Sequence, residues 1–271
     1  MKEYDFAVIE NFQHWNDWYA DNKIRTNKLS TKFYPNQGVV LKKDGAKAHG
    51  IAKGDYIENL QKYYPRDIKP MNSEQEVALG LLKDNTIPLK IISGVAGSGK
   101  TLLSCAHALE QLDNGKTSKI VLAKSLTPVG REVGYLKGSL EDKIRPFMGA
   151  FYDNFIVCGV PFYTIDDMAG KDQLEVVAIT FLQGRSIRNA TIIVDEAQNL
   201  DIKILKQIIT RVGEGSELIL LGDPTQNFEK SVHENTLQTL IELGRNSSLV
   251  GHVSLRKSLR SELAEWAVRV L

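Results

Sequence analysis

The octapeptide Gly94-Val95-Ala96-Gly97-Ser98-Gly99-Lys100-Thr101 has the spacing G-x-x-x-x-G-K-[ST]. Glycines in such a run let backbone N–H groups turn inward around a phosphate, and a following helix presents its positive N-terminus to the same anion. We expect Lys100 to reach the β- and γ-phosphates and the Thr101 hydroxyl to ligate Mg²⁺. The expected nucleotide contacts are Gly94, Ala96, Gly97, Ser98, Gly99, Lys100, Thr101 and Leu102.

Two other aliphatic runs end in polar side chains that suit this chemistry. Ile192-Ile193-Val194 leads into Asp195 and Glu196, and Leu218-Ile219-Leu220-Leu221 leads into Gly222-Asp223-Pro224-Thr225-Gln226. We expect Asp195 to hold Mg²⁺ through water, Glu196 to polarise the attacking water and Gln226 to touch the γ-phosphate or its water. The structural alternatives are a helix-capping pair and a simple turn. The glycine-rich loop favours chemistry, because parallel sheets bind ligands at the carboxyl ends of their strands.

Gln75 is expected in the first turn of a helix that begins near Ser73. Its amide has the geometry to pair with N6 and N7 of an adenine. The alternative is that Ser73 caps the helix and Gln75 is an ordinary first-turn residue. The residues alone leave both interpretations open.

The last predicted helix opens with the basic run Arg256-Lys257-Ser258-Leu259-Arg260-Ser261. Cations are unfavourable at a helix N-terminus, so the run predicts an anionic partner. Glu262 or Glu265 is one candidate, and a γ-phosphate contacted by an arginine finger is the other.

A second basic region follows the strand that ends at Lys124. Residues 116–146 hold seven basic side chains against three acidic ones. Cations for a phosphate backbone and an aromatic ring for a base are the combination that binds single strands. The candidates are Lys124, Arg131, Tyr135 and Arg185, and a solvated loop is the alternative.

These residues require parallel strands that alternate with helices. The expected strands are Pro88–Ser93, Lys119–Ala123, Leu174–Thr180, Thr191–Val194, Glu217–Leu221 and Leu249–Leu255, and the expected helices are Lys100–Leu112, Ile202–Val212, Leu237–Leu243 and Leu259–Val270. Short aliphatic runs bracketed by helices predict an α/β domain over residues 71–271, with a mostly parallel sheet covered on both faces. Residues 1–70 predict an accessory segment with a short helix near Trp15 and a hairpin that turns at Asp44-Gly45.

Composition excludes several classes of protein. Of the 271 residues, 42% are hydrophobic and 25% are charged, which is ordinary for a globular protein and wrong for a disordered one. A net charge of +1 excludes a chain that coats nucleic acid by bulk charge. Early acids and the lack of a long apolar run argue against export or a membrane span, and Cys105 and Cys158 lack the spacing of a zinc site. We expect a cytoplasmic protein.

Taken together, the motifs resemble the PhoH family over residues 66–271. The matching segments are Gly94–Thr101, Ala123-Lys124-Ser125, Val133–Gly138, Gln183–Ser186, Asp195–Asn199, Thr210–Gly213 and Gly222–Gln226. The resemblance implies a RecA-like P-loop ATPase core related to superfamily 1 helicases, with Gln75 as adenine reader and Arg260 as finger. Some members carry an N-terminal PIN nuclease, and residues 1–30 are too few to form one, so we expect no nuclease activity from this chain.

By this resemblance we expect Mg²⁺-dependent ATP hydrolysis, stimulated by single-stranded RNA or DNA in a helicase or translocase. Such a motor needs two RecA lobes, and one is encoded, so we expect a homo-oligomeric ring, a hexamer, with Arg260 reaching the neighbouring site. The rival hypotheses are an ATPase that remodels a protein partner, a small-molecule kinase and a nucleotide-binding scaffold.

Overall fold

The computed structural model describes residues 6–124, 149–179, 182, 185–224, 236–258 and 270. Tertiary contacts divide the chain into two compact units. Unit 1 comprises Met1–Tyr64, Lys69–Lys100 and Leu240–Leu271, and unit 2 comprises Pro65–Ile68 and Thr101–Thr239. These units differ from the division at residue 70, which stays a prediction.

Unit 1 contains a five-stranded sheet built from residues near the N-terminus. Its elements are β1 (Ala7–Ile9), α1 (Trp15–Asp21), β2 (Lys23–Arg25), β3 (Gly38–Lys43), β4 (Ala46–Lys53) and β5 (Tyr56–Asn59). The strand order is β1-β3-β4-β5-β2, and all pairs are antiparallel except β1 with β3. One face packs on a core that includes Phe12 and Trp18. The expected short helix and the β3–β4 hairpin are confirmed, but the accessory segment forms a larger sheet than predicted.

The rest of unit 1 carries the start of the glycine-rich loop. Helix α2 (Ser73–Lys83) is followed by β6 (Leu89–Gly94), which pairs in parallel with β11 (Val250–Leu255). Asn36 links the segment before β3 to the region around β11, because its amide nitrogen donates to the carbonyls of Ser248 and Val250, both at 2.9 Å. Its Oδ1 accepts from Lys53 Nζ at 2.8 Å.

Unit 2 confirms the predicted α/β class. Four parallel strands, β7 (Lys119–Lys124), β8 (Leu174–Ala178), β9 (Ala190–Asp195) and β10 (Glu217–Gly222), lie in the order β10-β9-β7-β8. Every residue of β9 and β10 is buried, as expected for aliphatic strands covered on both faces. The described helices that lie in or overlap unit 2 are α3 (Lys100–Asp113), α4 (Gly149–Val157), α5 (Phe162–Gly170), α6 (Ile202–Ile209) and α7 (Thr236–Gly244).

Two helices were not predicted, and one predicted helix is not covered. α4 and α5 occupy a stretch for which the sequence analysis gave no element. The helix expected over 259–270 lies outside the described residues except for Val270. Among the residues that the structure describes, no helix is long and apolar enough to cross a membrane.

A buried polar cluster joins the amino ends of β9 and β10 to α3. Glu217 Oε1 accepts from Thr191 Oγ1 at 3.0 Å and lies 2.8 Å from His107 Nε2. His107 and Thr191 are fully buried, and Glu217 is 8% exposed. Since buried polar groups are costly unless paired, this cluster favours one register of the two strands against α3.

Candidate functional site

The glycine-rich loop begins where β6 ends, in a conformation that side chains rarely adopt. Gly94 has φ +147°, and a Cβ there would lie 2.1 Å from the carbonyl oxygen of Leu255. Gly99 has φ +93°, and its Cβ would lie 2.7 Å from Gln75 Nε2. Glycine is therefore required at both positions, by backbone conformation and by close approach.

Lys100 and Ser98 give the glycine-rich loop two side-chain groups that can donate hydrogen bonds to an anion. Lys100 Nζ donates to the carbonyls of Gly94 at 2.6 Å and Val95 at 2.9 Å, so the ammonium lies over the loop itself. Ser98 is 1% exposed, and its hydroxyl has no hydrogen-bond partner among the described residues. A buried hydroxyl without a partner is costly. A phosphate oxygen in the loop would supply an acceptor for both groups.

Gln75 connects α2 to this loop through its amide nitrogen and to the segment before α2 through its amide oxygen. Its Nε2 donates to the Ser98 carbonyl at 3.0 Å, and its Oε1 accepts from the Met71 N–H at 2.8 Å. The residue is 4% exposed. Asn72, not Ser73, is the N-cap of α2, because its Oδ1 accepts from the Gln75 N–H at 2.9 Å. The alternative cap weighed in the sequence analysis is therefore corrected, and an adenine contact by Gln75 stays a prediction.

The first turn of α2 also contacts the backbone of residues 256–257, which precede Arg260 in the sequence. Glu74 Oε2 accepts from the backbone N–H groups of Arg256 at 2.8 Å and Lys257 at 3.3 Å. Glu74 thus holds the backbone of this segment, and the anionic partner expected for its basic side chains stays a prediction. Arg260 itself lies outside the described residues.

In unit 2, Asp195 ends β9 and Glu196 makes the turn that follows. Asp195 is 7% exposed, and its Oδ1 accepts from the Glu196 N–H at 3.0 Å. Glu196 has φ 57° and ψ 38°, in the left-handed region, where a residue with a side chain is uncommon. The Asn199 N–H donates to the Glu196 carbonyl at 3.0 Å and closes a short 3₁₀ turn. Such local strain is typical of functional sites.

Gln198 connects this carboxylate to the end of the neighbouring strand. Its Nε2 donates to Glu196 Oε2 at 2.7 Å, and its Oε1 accepts from the Asp223 N–H at 3.2 Å. Gln198 is 6% exposed, and a Cβ on Gly222 would lie 2.6 Å from its Oε1. The side chain therefore orients Glu196 and holds the backbone three residues before Gln226. Gln198 lies in the motif segment Asp195–Asn199, but its residue type and position alone indicated no role for it.

The donor set at these strand ends fits Mg²⁺. Asp195 and Asp223, which is 5% exposed, follow adjacent parallel strands, and Thr101 supplies a hydroxyl at the start of α3. Mg²⁺ is held by one or two carboxylates together with substrate phosphates and water, not by a full protein cage. No group of three or more His, Cys, Asp or Glu side chains in the described part of the chain could hold a metal ion.

Cys105 lies near Asp195, and the pKa of its thiol shows that this region is buried. Burial is the main cause that raises the pKa of the Cys105 thiol, and the nearby Cys158 and Asp195 raise it further. Cys105 lies on α3, so within unit 2 Asp195 is close to this helix. The low-dielectric surroundings on this side strengthen any charge interaction that Asp195 makes.

The remaining predicted residues are placed as follows. Lys124 is the register partner of Asp195 at the carboxyl ends of β7 and β9, so it lies at the same edge. Arg185 is exposed and forms an ion pair with Glu175 on β8, so no described contact brings it to Lys124. Arg131, Tyr135 and Gln226 lie outside the described residues, as Arg260 does.

Comparison with known proteins identifies a matching family and two similar relatives. The family described as PhoH-like protein matches residues 67–271. The chain is 36% identical over 273 residues to Protein PhoH2 of Bacillus subtilis, covering 96% of this chain and 62% of that protein. It is 33% identical over 208 residues to Protein PhoH2 of Mycolicibacterium smegmatis, covering 75% and 47%. The chain therefore spans less than two thirds of these relatives.

Two solved structures overlap with this chain at lower sequence identity. The large terminase of a thermophilic bacteriophage, in complex with ADP, overlaps with a TM-score of 0.44 at 14% identity, over 74% of this chain and 50% of that one. Pif1 helicase from Candida albicans overlaps with a TM-score of 0.35 at 15% identity, over 74% and 43%. The match of the family to about three quarters of the chain confirms the resemblance seen in the motifs, and the chain belongs to the PhoH family.

Proposed function

We propose that the chain is a Mg²⁺-dependent ATPase whose turnover is stimulated by single-stranded nucleic acid, in a helicase or translocase. The observation that carries the proposal is the glycine-rich loop, where Lys100 lies on the loop carbonyls and the buried Ser98 hydroxyl has no partner among the described residues. Both groups gain an acceptor when a triphosphate enters. Family membership supports the same chemistry.

In this mechanism residues of the chain bind the phosphates, orient the Glu196 carboxylate and activate the attacking water. Lys100 leaves the carbonyls of Gly94 and Val95 for the β- and γ-phosphates, and Thr101 and Asp195 would hold Mg²⁺. When bound, Mg²⁺ supplies positive charge to phosphate oxygens that gain negative charge in the transition state. Glu196 accepts a hydrogen bond from the attacking water and draws its proton.

Gln198 keeps the Glu196 carboxylate aimed by the 2.7 Å hydrogen bond from its amide. Gln226 follows the strand end that Gln198 holds, and we assign it contact with the γ-phosphate or the water. Arg260, in trans from the next protomer of a ring, adds positive charge at the γ-phosphate. In this proposal the ring places Arg260 of one protomer beside the nucleotide site of the next.

Phosphate release from ATP tests the proposal, measured with Mg²⁺ in the presence and absence of single-stranded RNA and DNA. We expect hydrolysis that rises with single strands and disappears in Lys100→Ala. Lys203→Ala is the matched control, because Lys203 is exposed on α6 and outside the site. Hydrolysis without stimulation, together with no salt-sensitive binding of single strands, would favour the ATPase that remodels a protein partner.

The ring is tested by light scattering of the full chain with ATP and Mg²⁺. We expect a closed assembly of several copies whose activity depends on its formation. A monomer that retains full turnover would contradict the assignment of Arg260 to a neighbouring site.

A further inference from the structure

A surface on the five-stranded sheet of unit 1 combines an aromatic ring with two cations. In the edge strand β2, Ile24 is buried in the core and pairs with Ile57, so its neighbours Lys23 and Arg25 point to the opposite, outer face. Arg25 is in register with Tyr56 of β5. Lys23 Nζ lies 4.7 Å from the centroid of the Tyr56 ring, and the guanidinium carbon of Arg25 lies 5.5 Å from it. Lys23, Arg25 and Tyr56 form the Tyr56 surface.

Ion pairing distinguishes these two cations from Lys28 and Lys42, which also belong to unit 1. Lys28 pairs with Asp17 at 2.6 Å, and Lys42 pairs with Glu10 at 3.0 Å. By contrast, neither cation of the Tyr56 surface forms an ion pair with any described acidic residue, including Glu58, the register partner of Lys23. Their positive charge is therefore available to an external anion.

The chemistry of the surface selects one kind of partner. Proteins bind single-stranded nucleic acid by cations along the phosphate backbone and by aromatic rings on which bases stack, and each stack contributes about 1–3 kcal/mol. Both cations lie over the Tyr56 ring, so a base that stacks on that face displaces them toward its own phosphates. An acidic peptide would use the cations but would gain little from the ring.

We propose that the Tyr56 surface binds single-stranded nucleic acid, with Tyr56 stacking on a base while Lys23 and Arg25 contact phosphates. This inference extends the proposed function, since it gives the strand a contact in unit 1 that is separate from the ATP site and from Lys124. It concerns residues outside the segment that the PhoH family matches.

Direct binding by the full chain without nucleotide tests this proposal. Fluorescence anisotropy would follow a labelled RNA or DNA strand of about 20 nucleotides, which is longer than the roughly 4–16 that one small binding fold covers. We expect Tyr56→Leu to raise Kd about five- to 150-fold, and Tyr56→Phe to bind as the wild type does. In the double variant Lys23→Gln, Arg25→Gln we expect the slope of log K against log salt to fall by about 1.4, from about 0.7 per lost phosphate contact.

The matched control is the double variant Lys28→Gln, Lys42→Gln. It removes the same net charge from cations that are already ion-paired, so we expect a slope like that of the wild type. Circular dichroism would confirm folding, and the exposed Lys23 and Arg25 tolerate substitution even if Tyr56→Leu does not fold.

Three results would overturn the proposal. The first is equal weakening by the two double variants, because bulk charge would then account for binding. The second is unchanged binding in Tyr56→Leu. The third is wild-type chain that binds a labelled oligoglutamate peptide and no oligonucleotide, which would assign the surface to an acidic partner. Basal ATP hydrolysis is measured in parallel: its absence in the wild type would contradict the proposed function and leave this binding result standing.

Discussion

Replacing Gln198 by alanine tests whether this side chain positions Glu196. The variant removes the 2.7 Å hydrogen bond to Glu196 Oε2 and leaves the N–H of the buried Asp223 without its acceptor at 3.2 Å. A hydrogen bond to a charged group contributes about 1.5–3 kcal/mol. If that stabilisation acts in the transition state, kcat falls about 10- to 150-fold.

The assay is steady-state phosphate release over a range of ATP concentrations. We expect kcat to fall while KM stays within about twofold, because the loop that carries Lys100 keeps its contacts and a lost transition-state interaction lowers kcat. In Gln198→Glu the side chain still accepts from the Asp223 N–H but faces Glu196 with a second carboxylate. Like charges at this distance repel, so kcat falls further.

Gln207→Ala is the control, because Gln207 is exposed on α6 and its side chain makes no described contact with the site. Urea unfolding of each variant separates loss of stability from loss of catalysis. A positioning role for Gln198 is refuted if Gln198→Ala keeps the wild-type kcat, or if its loss of activity is no larger than the fraction of protein that is unfolded under assay conditions.

Two further predictions concern the fold around the site. Gly94→Ala places a Cβ 2.1 Å from a backbone oxygen, so we expect urea unfolding to show that the free energy of unfolding falls by at least about 2 kcal/mol. Gly45→Ala is the control, because Gly45 has φ +82° but nothing within 4 Å of the added Cβ, and we expect its free energy of unfolding to fall by about 1 kcal/mol. Equal losses in the two variants would contradict the close approach at Gly94. Burial raises the pKa of Cys158 to about 11 and that of Cys105 well above its usual value, so both thiols stay protonated at pH 8. We expect a thiol reagent such as DTNB to modify both cysteines in urea and neither in the folded chain, and rapid modification of the folded chain would show that they are accessible.

The strands that carry the site were predictable because their sequence signal is local. Ile192–Val194 and Leu218–Leu221 are continuous aliphatic runs, and each ends in the polar residues that mark the carboxyl edge of a parallel sheet. The glycine-rich loop was predictable for the same reason, since its spacing encodes its backbone conformation. Parallel strands buried on both faces need no long-range information to be recognised.

The five-stranded sheet was only partly predictable. β1 and β2 are three residues long, which is too short for an alternating pattern, and β1 pairs with β3 across about thirty positions of the chain. The role of Gln198 depends on tertiary structure in the same way. Its partner Asp223 is 25 residues away, and only the pairing of β9 with β10 brings the two together.

The most direct test of the account compares the wild-type chain with Glu196→Gln in ATP binding and in phosphate release, both with Mg²⁺. We expect the variant to bind a fluorescent ATP analogue with a Kd within about threefold of the wild type, because Lys100 and its loop are intact. We expect its hydrolysis to fall by about 100-fold or more, the lower range for loss of a general base. A variant that hydrolyses ATP at the wild-type rate, or a wild-type chain that does not bind ATP, would contradict the account.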